Sequence, residues 1–253
     1  MRNVPLHEVD AVERDVLPIA TDYTPGFLLD WHEHRRAQFL YGATGTMVVE
    51  TDDGTWTVPT AQGVMIPPAT PHRVRMLDVS TSSLYIEPAA VPWWPVSCVV
   101  VEVTSLVREL LLAAAELSAE YDHNGREGAI TSLLLYELAS LGPLPLHIDL
   151  PRSADLAALC RAYFSEPEVG MTNAEWARRV TMSERAFTRR FHREVGTSPA
   201  AWRLRARLLA AIPMLRAHPV ARVAAVLGYA SPAAFSFAFS REFGMAPSVT
   251  GRR

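Results

Sequence analysis

The feature that most limits what this chain can fold into is an internal repeat at an offset of 48 residues. Ser183 pairs with Ser231, Phe187 with Phe235, Phe191 with Phe239, Gly196 with Gly244 and Pro199 with Pro247, while Arg193-Glu194 pairs with Arg241-Glu242. Upstream, Ala177 pairs with Ala225. Self-similarity at such a period marks a duplicated supersecondary unit. Each copy reads as a short helix, a tight turn and a second helix. The short helix spans 175–180 in the first copy, opened by the capping-box spacing of Thr172 and Glu175, and 221–227 in the second. Ser183 or Ser231 caps the second helix, and Pro232 takes the favoured first helical position. Phenylalanines at i, i+4 make a buried stripe, and Gly196 and Gly244 stand where a helix end takes a left-handed residue. A small residue where two helices cross, followed by a capped helix, is the helix-turn-helix plan.

The outer face separates this plan from a generic helical bundle. In the first copy Arg185, Thr188, Arg189 and His192 follow i, i+3, i+4, i+7, opposite the phenylalanines. Arginine pairs bidentately with guanine in the major groove, and shorter donors suit either base. Arg190 and Arg193 flank this face and suit phosphates. Charge agrees. From Arg152 onward sixteen arginines oppose seven acids, a net +9, whereas the part up to Pro151 carries −12 and the whole chain −3. A basic module joined to an acidic one is the footprint of a nucleic-acid binder with a separate sensing or assembly part, and the major-groove face above makes double-stranded DNA the expected partner. All 24 basic residues are arginine. Cys98 and Cys160 do not suggest a disulfide framework. The first fifteen residues lack the apolar stretch of a signal peptide, and no run approaches the ~18 apolar residues of a membrane span. The expectation is a cytoplasmic protein without a membrane partner.

The region from Phe27 to Val103 reads as short strands: FLLDW, AQFLY, TMVVET, TWTV, VMI, HRVRM, SSLYIE and CVVVEV, separated by turn residues. Many evenly spaced short strands suggest a barrel or sandwich. Two apolar helices follow, over 105–121 and 127–141, then a Pro-rich joint from Gly142 to Pro151. The expected class is α+β. The organisation is a sensing barrel over 1–103, a helical dimerisation segment over 104–142, a linker over 143–152 and an all-α domain of two helix-turn-helix modules over 153–253.

Within the barrel region Gly26, His32, His34, Gln38 and Gly45 follow one spacing, and Pro67 to His72 another. These resemble the two cupin motifs, with Gln38 for the usual Glu, Ala69 for Gly and Met76 for Asn; the match covers roughly residues 25–88. His32 and His34, two apart on a strand, face one side, and His72 on a returning strand completes a three-imidazole set. Neutral imidazole suits zinc, iron, nickel or copper, with Gln38 as a weak oxygen ligand. A cupin barrel of this kind also takes an organic effector, or nothing.

The segment from Ser153 to Arg253 resembles the AraC/XylS family of transcription regulators, most closely in GYASPAAFSFAFSREFGMAP from Gly228 to Pro247. The barrel region, from His32 to Val74, resembles one subgroup of that family, whose members often control a neighbouring transporter gene. The resemblance implies seven helices, with two recognition helices entering successive major grooves about 34 Å apart. It also implies a homodimer through helices beside the barrel, RNA polymerase as a further partner, and no enzymatic activity. The second face, reading Ser231, Ala233, Ser236, Phe237 and Ser240, lacks the basic or polar residue the family often has at Phe237. It is therefore expected to dock mainly on the backbone, with an apolar contact to a thymine methyl at most. Pro213 falls inside the expected joining helix, 200–216, and should kink it or end it early. The alternative function is a cupin metalloenzyme, a dioxygenase or isomerase with a helical appendage. It predicts a carboxylate where Gln38 stands and leaves the basic repeat without a purpose. A pure protein-interaction module leaves Arg185 and Arg189 unexplained.

Overall fold

The computed structural model describes residues 1–24 and 26–250. Pro25, where the cupin resemblance begins, and the last three residues of the expected DNA-binding segment lie outside the described residues. The chain forms two units, one of residues 1–49 and 58–145 and the other of residues 50–57 and 146–253.

The first unit opens with a single helical turn, α1 (Leu6–Val9). The strands that follow in the chain are β1 (Val16–Asp22), β2 (Leu28–His32), β3 (Ala37–Gly42), β4 (Thr46–Glu50), β5 (Gly54–Val58), which belongs to the second unit, β6 (Gln62–Ile66), β7 (His72–Leu77), β8 (Ser80–Ile86) and β9 (Val99–Glu102). After them come α2 (Ser105–Ala115), α3 (Arg126–Ala139) and the short β10 (Pro143–Leu144). One antiparallel sheet runs β1-β8-β3-β6-β9-β10, and β4, β7 and β2 lie in a second. This is an antiparallel β-sandwich followed in sequence by an all-helical region.

The strand β1 is missing from the sequence reading. Pro18 at its centre argues against a strand, yet β1 is the edge of its sheet, where proline is tolerated. The helix α2 stops at Ala115, short of the expected Tyr121, although Leu117 and Tyr121 still reach the core. Thr104 caps α2 by accepting from the Val107 amide. Val107, Leu111, Leu134 and Leu138 of the helical pair pack with Phe39, Leu84 and Ile86 of the sheet in one apolar core. Burial of each such side chain stabilises by about 1.5–3 kcal/mol.

The second unit contains β11 (His147–Asp149), which pairs with β5. Residues 143–152, expected as a joint, thus carry two short strands, β10 on β9 and β11 on β5. The signal was present as alternation: Leu146, Ile148 and Leu150 are all buried, at period two. Seven helices follow among the described residues: α4 (Ala154–Ser165), α5 (Asn173–Arg179), α6 (Glu184–Val195), α7 (Pro199–Ala217), α8 (Val220–Val226), α9 (Pro232–Phe243) and α10 (Pro247–Thr250).

Two expectations are corrected here. Of the two outcomes expected of Pro213, an early end is the one that does not occur: α7 runs on to Ala217. Proline costs the helix one backbone bond, but buried Ile212 and Leu215 on either side anchor the last turn. Second, Ala225 is not the partner of Ala177. Ala177 is buried, Ala225 is exposed, and the buried alanine of α8 is Ala224. The helices α5 and α8 therefore correspond at an offset of 47, and one extra residue in the second turn restores 48 by Ser231.

Candidate DNA interface and histidine site

The helix α6 is built to present one face. Ser183 caps it by accepting from the Ala186 amide, and Gly196 ends it in the left-handed region at φ 78°. Phe187 and Phe191 are completely buried on one side, against Trp176 and Trp202. On the other side Arg185, Arg189 and His192 are exposed and Thr188 is half-buried; together with Glu184 they line one shallow, open cleft. Glu184 was not anticipated. An acid in the first turn complements the helix dipole and can accept from a cytosine amino group, so its position just after the cap was the available signal. Arg193 is exposed.

Arg190 differs from expectation. Its guanidinium makes a bidentate pair with Asp155 of α4, both bonds at 2.8 Å, and reaches Glu194 at 3.0 Å. The i, i+4 spacing to Glu194 was visible in the sequence; the partner on α4 was not. These bonds hold the Asp155 carboxyl below its ordinary range. For Glu194 burial acts upward, but the Ser153 hydroxyl and amide and Arg190 outweigh it, and its pKa is lowered. Arg190 thus ties α6 to α4 and does not stand as an open phosphate ligand.

In the second copy Ser231 caps α9 by accepting from the Ala234 amide, and Gly244 ends it at φ 71°. Phe235, Phe239 and Phe243 are buried. The opposite face carries exposed Ala233 and Phe237 and half-buried Ser236 and Ser240, as expected. The Arg241 guanidinium lies 5.9 Å from the Phe237 ring centroid.

The three histidines of the first unit come together. His32 ends β2 and His72 opens β7, directly opposite each other in the antiparallel pair. His34 lies beyond the end of β2, not on the strand with His32 as expected, yet a ligand atom from each ring lies within 4.8 Å of the others. Each Nδ1 faces a nearby backbone carbonyl: His32 to Asp30 at 2.7 Å, His34 to Arg36 at 2.7 Å and His72 to Thr70 at 2.8 Å. A ring that donates from Nδ1 keeps Nε2 as a bare lone pair. The Nε2 of His72 is buried without a partner. Burial lowers the pKa of His34 and takes that of His72 down to about 4, so these rings stay neutral. Gln38 Oε1 lies 3.1 Å from His34 Nε2, while its amide nitrogen donates to Ser83 Oγ and Tyr85 Oη. Two acceptors facing each other are satisfied by a cation between them; with the amide turned over, Gln38 donates to His34 instead. Ala69, where the cupin motif has Gly, takes a left-handed φ of 52° and donates its amide to the His34 carbonyl. Beside the rings lies a cavity of about 690 Å³, walled in part by Val4, Leu6, Ile19, Leu29 and Tyr85.

Residues 17–139 match the family described as AraC-like ligand binding domain, and residues 176–253 match the family described as Helix-turn-helix domain. The chain thus carries the AraC-like ligand-binding domain and the helix-turn-helix domain of AraC-type transcription regulators. It is 27% identical over 218 residues to the HTH-type transcriptional regulator NimR of Escherichia coli (strain K12), covering 85% of this chain and 80% of that protein. Among solved structures it resembles apo ToxT from Vibrio cholerae, at 11% identity and a TM-score of 0.40, covering 94% of this chain and 97% of that one. It also resembles the DNA-binding domain of AdpA in complex with a target DNA, at 30% identity and a TM-score of 0.35, covering 38% of this chain and 89% of that one. By its two domain matches the protein has a ligand-binding N-terminal domain and a DNA-binding helix-turn-helix domain, and DNA is its partner. Among the described residues no helix is long and apolar enough to cross a membrane.

Proposed function

We propose that this regulator reads its operator chiefly through Arg185, Thr188, Arg189 and His192 of α6, with Arg193 on the phosphates, and answers to a ligand held beside His32, His34 and His72. The DNA reading rests on one observation: four polar side chains stand on the open face of a capped helix whose other face is fully buried. In the second module Ser231, Ala233, Ser236, Phe237 and Ser240 form the DNA-facing surface, and hydrogen-bonded readout there is weak. A footprint on DNA upstream of the protein's own gene tests this. Protection over two adjacent major grooves is expected, and an unprotected region together with failure to enrich any duplex from a random library would overturn it.

The histidine site fits a divalent zinc, iron or nickel ion. Its buried His72 Nε2 has no partner and its Nδ1 atoms are already committed to carbonyls, an outer-shell arrangement that fixes metal-binding tautomers. His32, His34 and His72 would hold the ion, with Gln38 as an oxygen donor. Bound there, it supplies a Lewis-acid anchor for an effector in the adjoining cavity. Metal analysis of protein purified without a histidine tag should give one ion per chain, abolished by His72→Ala. Metal-free protein whose DNA binding is unchanged by His32→Ala would remove the metal from the reading.

The same proposal places the protein in the cytoplasm, without enzymatic activity, as a homodimer that works with RNA polymerase. Leu106 and Leu112 of α2 and Leu133 and Tyr136 of α3 are exposed, supporting a dimer through these helices. Sedimentation at micromolar concentration should give a dimer, and Leu112→Glu a monomer. A wild-type monomer would remove the interface.

A further inference from the structure

The second recognition helix carries an observation that weak readout leaves unused. Phe237 is 70% exposed, on a helix whose three other phenylalanines are buried. It occupies the position that Arg189 holds in the first copy, 48 residues earlier, at the centre of the face. Ala233, also exposed, stands where Arg185 stands in the first copy. The duplicated face has therefore exchanged two guanidiniums for an aromatic ring and a methyl group, keeping only serines beside them. A single exposed apolar residue on a protein surface is ordinary. Here it sits at the reading position of a helix belonging to a DNA-binding domain.

We infer that Phe237, with Ala233, is a specificity-determining residue that selects the C5-methyl group of thymine in the second half-site. The inference rests on the tandem-module reading above and gives its second module a base preference. In the major groove every other group that distinguishes a base pair is a hydrogen-bond donor or acceptor; the thymine methyl is the apolar exception. A ring with no donors, exposed before binding, gains by covering that methyl and loses by covering a bare polar edge. Arg241 holds its charge over the Phe237 ring, at the position of Arg193 in the first copy, where it meets the adjoining phosphate. Covering one methyl corresponds to about fourfold in affinity, and two adjacent thymines double that effect on a logarithmic scale.

The test uses the full chain and an operator selected from a random duplex library. Each thymine of the second half-site is replaced in turn by deoxyuridine, which removes the methyl and nothing else. At fixed salt, one or two replacements should weaken the wild-type protein about fourfold each. Phe237→Ala should bind thymine and deoxyuridine operators equally, and Phe237→Leu should keep part of the discrimination. Equal deoxyuridine effects on wild type and Phe237→Ala, or none on either, would overturn the inference while leaving DNA reading intact. So would a Phe237→Ala protein that keeps full DNA discrimination and loses only RNA polymerase recruitment, since Phe237 would then face protein. A selection that enriches no duplex would overturn both the inference and the reading beneath it.

Discussion

In the first helix-turn-helix module Trp176 fills the crossing of α5 with α6; in the second, Val223 stands at the corresponding place on α8. Trp176 makes ring contacts with Tyr163, Phe187, Phe191 and Trp202, so one side chain joins four helices, and the Arg203 guanidinium lies 4.9 Å from its ring centroid. The second module's ring contacts instead run along α9 itself, from Phe235 to Phe239 to Phe243, with Tyr229 at the start. The helix α5 begins with a complete capping box between Thr172 and Glu175, whereas α8 begins after Pro219 with no side-chain cap. Duplication preserved the backbone plan and let the two copies diverge in both support and surface. The module with the charged reading face is also the one whose aromatic contacts reach the neighbouring helices α4 and α7.

The largest test of that asymmetry is in the core. Trp176→Ala should cost about 3–5 kcal/mol, the range for emptying a large buried aromatic site. Val223→Ala, at the matching place, removes far less volume and should cost about 1–2 kcal/mol. Urea unfolding, with hydrogen exchange to locate the loss, compares the two. Equal costs would mean that the aromatic cluster is not what distinguishes the modules.

On DNA the contrast lies within α6 itself. Arg189→Ala should cost about 1–3 kcal/mol on the selected operator and relax preference at one base position. Arg190→Ala should instead lower the unfolding midpoint and leave base preference unchanged, because its guanidinium is engaged by Asp155 and Glu194. Equal losses for Arg189→Ala on operator and random duplex would reduce Arg189 to a phosphate contact.

Much of this was legible because the signals were local. Caps at Thr172, Ser183 and Ser231, left-handed ends at Gly196 and Gly244, and the phenylalanine stripes all act within a few residues of chain. What escaped depended on neighbours. Pro18 reads as a breaker unless its strand is known to be an edge. The pairing of β11 with β5 joins residues about ninety apart, so the proline-rich composition masked it. The 48-residue offset points to Ala225 rather than Ala224 because a fixed offset cannot register one extra residue in a turn. Arg190 looked open because its bidentate partner, Asp155, is on another helix. At the histidine site the spacing found all three rings, but the tautomers follow from carbonyls that only the folded loops bring near.

Acid should divide the modules next. Asp155 and Glu194 both have lowered pKa values in the folded first module. Carboxyls depressed by folding contribute stability that is fully present above their unfolded values and is lost as pH falls through the folded ones, below the ordinary carboxylate range. Protection of amides in α4 and α6 should therefore fall over that window, and Arg190→Gln should flatten the dependence. Both carboxylates are partly open to solvent, so the effect is screened and should weaken further in high salt. An unchanged profile in Arg190→Gln would show that these ion pairs do not set the acid response.

The smallest effect belongs to the two turns. Thr181 and Gly228 correspond at the offset of 47, and both take a left-handed backbone, at φ 54° and φ 74°. For Gly228 the conformation costs little, and an added Cβ would lie 2.3 Å from a methyl of Val169, so glycine is required on two counts. Thr181 is β-branched and pays about 1–2 kcal/mol for the same geometry. Thr181→Gly relieves that strain but loses roughly 0.5–1 kcal/mol to the greater freedom of the unfolded chain. A net gain of about 0.5–1 kcal/mol is expected, read as a higher urea midpoint with operator affinity unchanged. A lower midpoint would mean that the exposed Thr181 side chain supports the first turn in a way that glycine in the second does not need.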